Sequence, residues 1–201
     1  EVADQAVSGY GDRLKAIKAS IENQDPIDDD GWLKMGLLSV IGQERKHYLN
    51  DYSKGYVDPS SSKDLLSVAD DILDSVKASG VQGYVTASEA SLEFDWRFRI
   101  AMQLHRRLGL VGPLRNQLSN RWTRLRTTLA ALTRIKKVGI NDIQSLIDDK
   151  VSLLLVEFID NRILRTEAAL NALRAQYPGY ANKVQTLHLD RIMLNQELRK
   201  Y

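Results

Sequence analysis

Apolar residues along the chain recur at intervals of three and four, and no alternation of period two persists beyond four residues. That spacing gathers apolar side chains on one face of an α-helix, so the sequence predicts an all-α helical bundle of about seven helices with long C-terminal helices. A first helix over about 2–23 carries Tyr10, Leu14, Ile17 and Ile21 and closes at Asp25-Pro26. A second, roughly 31–52, has Asp30 as N-cap and Trp32, Met35, Leu38, Ile41, Tyr48 and Leu49 as its apolar set. After a loop over 53–60, Ser61 and Asp64 form a capping-box-like start for Leu65, Leu66, Val68, Ala69, Ile72, Leu73 and Val76. That third helix ends near Ala78, where Gly80 and Gly83 follow.

A fourth helix, about 84–108, places Trp96, Ile100, Leu104 and Leu108 at successive fours and stops at Gly109 and Gly112-Pro113. Pro113 can open a fifth, because proline at the first helical position loses no intrahelical hydrogen bond. In it Leu114, Leu118, Trp122, Leu125, Leu129 and Leu132 form a near-heptad seam suited to another helix in cis or in trans, and hence a candidate dimer seam. Gly139 ends it; Asn141 can cap a long sixth helix over 142–177 that is apolar on most faces between Val151 and Ile159, as in the centre of a bundle. After Pro178-Gly179 a last helix over 181–201 shows no stop signal, so the sequence reads as an excerpt of a longer protein. One domain, 1–201, is expected, with a possible subdivision near 80–83.

Charge divides the chain. Residues 1–95 hold 9 Lys and Arg against 18 Asp and Glu, whereas 96–201 hold 19 against 8. Residues 96–137 contain no acidic residue but carry Arg97, Arg99, Arg106, Arg107, Arg115, Arg121, Arg124, Arg126, Arg134, Lys136 and Lys137. Three counterparts suit that segment: the chain's own acidic half, anionic lipid headgroups, or nucleic acid. Nucleic acid is the weakest, since there is no run of aromatics for base stacking and no known binding motif. Arg97, Arg99, Arg106, Arg107, Arg115, Arg121, Arg124 and Arg126 are the candidate contacts to anionic lipid or a partner. Trp96, Trp122, Phe94, Phe98 and Phe158 are expected in the core.

Catalytic chemistry finds no constellation. There is no Cys among the 201 residues, which excludes thiol nucleophiles, disulfides and Cys-ligated zinc. His47, His105 and His188 stand apart, with no helical metal spacing. Asp28-Asp29-Asp30-Gly31 fails as a calcium loop, because Pro26 would take the first ligand position. No glycine-rich phosphate loop or nucleophile elbow is present. The longest uncharged apolar stretch, Val151 to Val156, is far short of a membrane span, and no signal peptide opens the sequence. No catalytic residue, cofactor or metal is expected, and the chain is read as non-enzymatic.

Certain segments nonetheless carry a resemblance. The run Thr166 to Tyr180, with its Gln176-Tyr177-Pro178-Gly179-Tyr180, followed by Leu189-Asp190-Arg191 and 197–201, resembles the cytosolic C-terminal region of bacterial Na+/H+ antiporters of the monovalent cation/proton antiporter-one family. Arg106 to Leu114, Glu44 to Leu49, and Ala69 to Tyr84 are similar to the same region. The resemblance implies a dimeric exchanger whose helical tail lies at the cytoplasmic face of the inner membrane, sometimes before a cyclic-nucleotide-binding-like domain. The ion-binding aspartates of the membrane part have no counterpart here, so no ion site transfers. The expected function is a regulatory and dimerisation domain coupling intracellular signals to cation/proton exchange, with a homodimer partner and the transporter's membrane domain. The alternative is a helical module that binds anionic membrane or nucleic acid through 96–137.

Overall fold

In the computed structural model the described residues are 28–139 and 149–178, with Thr186, Asp190, Met193 and Glu197 singly. They are all-helical. Five helices follow in order: α1 Asp29–Ser53, α2 Pro59–Ala90, α3 Trp96–Leu108, α4 Val111–Arg134 with a π-helical turn Ile135–Gly139 at its end, and α5 Asp149–Gln176. The helices expected over 2–23 and 181–201 lie outside the described residues, apart from the four single positions.

Local chemistry moves several boundaries. Asp28 rather than Asp30 caps α1, its carboxylate accepting from the Gly31 N–H at 2.8 Å. At α2 the cap is Asp58, which accepts from the Ser60 and Ser61 N–H groups at 3.1 and 3.0 Å and from the Ser61 hydroxyl at 2.7 Å; Pro59 follows in the first helical position. Ser61 therefore serves the cap without being it. Asp95 opens α3 by accepting from the Phe98 N–H at 2.8 Å, and Gly109 closes it at φ +67°. The helix expected over 84–108 is thus split by a turn at 91–95, which the Asp95 cap creates.

Near Ala78, where the third helix is expected to end, helical geometry does break, and α2 is two helical stretches that meet across a kink. Ser79 leaves helical geometry, and Gly80 sits at φ +56°, ψ −134°, a region open to glycine alone. The chain then folds back so tightly that a Cβ on Gly83 would lie 1.9 Å from the Ser75 carbonyl oxygen.

Two cores share one pair of helices. In the first, Leu37, Val40 and Ile41 of α1 meet Leu65, Ala69, Ile72 and Val76 of α2, Ala131 and Ile135 at the end of α4, and Val151, Leu155 and Ile159 of α5. In the second, Phe98 and Ala101 of α3 meet Leu114, Leu118, Trp122 and Leu125 of α4, and Leu170 and Leu173 of α5. The end of α4 packs with the start of α5, and its start with the end of α5, so the two helices run antiparallel through both cores.

The seam is satisfied inside the chain. Leu114, Leu118, Trp122, Leu125 and Leu132 are buried and Leu129 packs partly on the second core, so their packing partners lie in cis. Other expectations are corrected. Trp96 is 65% exposed, Leu49 is exposed, and on α5 Leu153 and Leu164 face outward while Arg162 is buried. The apolar count around α5 is high, yet one face of it is bare.

Gly83→Ala is expected to cost about 1–3 kcal/mol through overpacking. Urea unfolding checks this; an unchanged midpoint would contradict the close approach to Ser75.

Candidate functional site

Between the two cores lies a layer of buried polar groups. On α4 the boundary falls between Leu125 and Ala131, and on α5 between Ile159 and Leu170. Thr128, Arg162 and Thr166 occupy that interval, opposite Glu44 and Tyr48 of α1. Glu44 is 0% exposed and Arg162 4%. The guanidinium donates to both carboxylate oxygens, Nη1 to Oε2 at 2.6 Å and Nη2 to Oε1 at 2.8 Å, the bidentate geometry that matches the two planes.

The layer extends on both sides of that pair. The Tyr48 hydroxyl donates to Glu44 Oε1 and lies 3.0 Å from Thr128 Oγ1, tying α1 to α4. Thr166 turns its hydroxyl back to the Arg162 carbonyl at 2.7 Å. Arg162 also lies over the Tyr84 ring, 5.8 Å from its centroid, and Phe158 meets that ring edge-on. Tyr84 Oη and Ser88 Oγ, both buried, make no hydrogen bond of normal geometry.

Burial and the adjacent Glu44 charge hold Tyr48 well above the usual phenol range, against the pull of Arg162. Burial likewise raises Tyr84. Burial alone would lower Arg162, but the Glu44 carboxylate and the two tyrosines reverse the direction and keep it charged. Near neutrality both phenols therefore keep their protons and Arg162 its charge.

The expected arginine contacts divide into two sets. Arg121 is buried: it donates to the Glu93 carbonyl at 2.8 Å and to the Leu92 carbonyl, with its guanidinium 4.0 Å from the Phe94 ring centroid. Arg124 is half-buried and reaches the Ser91 carbonyl at 3.4 Å. Both complement exposed carbonyls just past the end of α2, a structural use that removes them from the outer surface. Burial and the neighbouring Arg124 depress Arg121 to about 10, which Asp95 partly offsets; it remains charged at neutrality. Arg97, Arg99, Arg106, Arg107, Arg115 and Arg126 are exposed.

The acidic half meets the basic half mostly through other residues. Asp51 pairs with Arg134 at 2.9 Å, Asp29 with Lys150 at 2.7 Å, Glu89 with Arg165 and Glu44 with Arg162. Of the basic segment 96–137 only Arg134 takes part in these pairs, while Lys136 turns to Asp160 of α5 at 2.6 Å.

Among the described residues no group of three or more His, Asp or Glu could hold a metal. His188 lies outside them; burial and Arg134 lower His47 against Asp51, and His105 Nδ1 is buried without a partner. No family model, no curated protein and no solved structure matches the chain.

Glu44→Ala is expected to destabilise the fold by about 3–5 kcal/mol, because it leaves Arg162 charged and unpaired in the interior. Chemical denaturation measures it; a cost near zero would contradict the pairing. The raised Tyr48 and Tyr84 pKa values mean that the unfolded chain loses these protons first. Their contribution is intact below about pH 10, the ordinary phenol value, and falls as pH rises above it. A tyrosinate absorbance titration of the folded protein should show two phenols resisting ionisation until unfolding; ordinary titration of every tyrosine would contradict this.

Proposed function

We propose that the chain is a non-catalytic, regulatory and dimerising domain of a sodium/proton antiporter, held at the cytoplasmic face of the inner membrane as a seven-helix bundle. The observation that supports this reading is where the antiporter-like segments fall. Glu44 and Tyr48 lie in one, Tyr84 in another and Thr166 in a third, and all four surround Arg162. Three of the four resembling segments thus contribute to the interior framework, while the fourth, Arg106 to Leu114, lies mostly on the surface.

The framework also suits transmission of a mechanical signal. Helices α4 and α5 run through both cores with a charged layer between them, so a displacement at one end is carried to the other without bending a loop. Among the described residues no helix is long and apolar enough to cross a membrane, so in this reading the spanning segments belong to the transporter's membrane domain. Because the leucine seam of α4 is used in cis, a homodimer would form elsewhere. The bare row of α5, where Leu153 and Leu164 share a face with Glu157, is the surface this reading assigns to it.

Two measurements test the reading. Light scattering should give twice 22.7 kDa, reverting to one chain mass in Leu153→Glu/Leu164→Glu with the melting curve retained; a monomer at every concentration would remove dimerisation. In everted vesicles from cells making the antiporter that carries this domain, deleting it should leave exchange in place but shift its dependence on pH or cation. Superimposable curves would contradict a regulatory role.

A further inference from the structure

Helix α3 carries an apolar edge on the side away from the core. Trp96, Ile100, Gln103 and Arg107 follow one another at four, three and four and are all exposed, whereas Phe98 and Ala101 are buried on the other side. At the α3–α4 corner Leu108, Leu110 and Val111 are also exposed, around the left-handed Gly109. These five large apolar side chains account for much of what the described surface leaves uncovered, and they lie within sixteen consecutive residues, 96–111.

Cations border them throughout. Arg97, Arg99, Arg106 and Arg107 are exposed, and none pairs with a carboxylate among the described residues. Arg97 rests over the Trp96 ring, 5.7 Å from its centroid. No acidic residue occurs anywhere in 96–137, so nothing on α3 or α4 neutralises the edge.

We propose that α3 and the α3–α4 corner dock on the surface of an anionic phospholipid bilayer. The chemistry of the edge selects that partner. Arginines gain attraction from anionic headgroups, aliphatic side chains gain by entering the acyl boundary, and tryptophan favours the interface between the two. A nucleic acid would reward the arginines but leave Ile100, Leu108, Leu110 and Val111 against a polar backbone. With 13 residues, α3 is too short to cross, so it lies in the plane of the interface. This inference stands on exposed residues alone and holds whether or not the chain belongs to an antiporter.

Co-sedimentation of the 201-residue chain with phosphatidylcholine vesicles, with and without phosphatidylserine, tests it. Binding should require phosphatidylserine and weaken as salt rises. Arg106→Gln/Arg107→Gln should lower the partition coefficient about 30-fold, from roughly fivefold for each cation at the surface. Lys46→Gln/Lys63→Gln, the same charge change on exposed residues of α1 and α2, should stay within about twofold. Trp96→Ala should weaken binding roughly tenfold by removing the interfacial ring; should it fail to fold, Leu108→Ser reads the same edge. Equal binding to neutral vesicles, no binding to either, or equal loss in both double variants would overturn the proposal. So would retention on duplex DNA or RNA that anionic vesicles do not displace.

Discussion

The interior of this protein depends on one ion pair. Glu44 and Arg162 come from helices 118 positions apart and meet where water does not reach. Taking both charges out of water is costly, and the cost is offset only if every oxygen and N–H near them is used. Bidentate geometry meets most of that demand, and Tyr48 and Thr128 meet more of it from α1 and α4. The pair therefore fixes the rotation of α1 and α5 more sharply than interchangeable leucines would, since a shift of one residue along either helix leaves a charge unpaired. Leucines can repack; a buried guanidinium without its carboxylate cannot.

That constraint sorts the remaining charges. The acidic α1 and α2 and the basic α3 and α4 attract each other overall, but the close pairs, some of them made by α5, are few and at defined places: Asp51 with Arg134, Asp29 with Lys150, Glu89 with Arg165. Arg121 and Arg124 are committed to carbonyls past the end of α2. What is left over is concentrated on α3, the shortest helix and the one with the fewest buried side chains. Among the described residues, its uncovered arginines and apolar edge are the largest part of the basic half that internal pairing does not account for.

Much of this was legible in the sequence, for reasons that can be named. Helical spacing located the seam of α4, because its large buried apolar side chains are leucines and a tryptophan repeating at threes and fours, even though Ser119, Arg121, Thr123 and Thr127 are buried among them. It misread α1, where the buried row Leu33, Leu37, Val40, Ile41, Glu44 and Tyr48 includes a carboxylate that pattern reading assigns to solvent. On α3 the evenly spaced Trp96, Ile100, Leu104 and Leu108 read as a core stripe, yet only Leu104 of them is even half-buried and Phe98 and Ala101 face inward; two apolar rows share one short helix and spacing cannot rank them. Arg162 escaped notice for the converse reason. Its role becomes visible only when α1 and α5 are side by side, and no local signal in either segment names the other.

The pair stands between two cores and joins them into one cooperative unit. Native-state hydrogen exchange measures this most directly, read at amides of α1 in the first core and of the Leu114–Leu125 stretch of α4 in the second. In the unaltered protein both sets should open with one common free energy, and in Arg162→Met they should separate. Two distinct opening energies in the unaltered protein, or a common one that survives Arg162→Met, would contradict it.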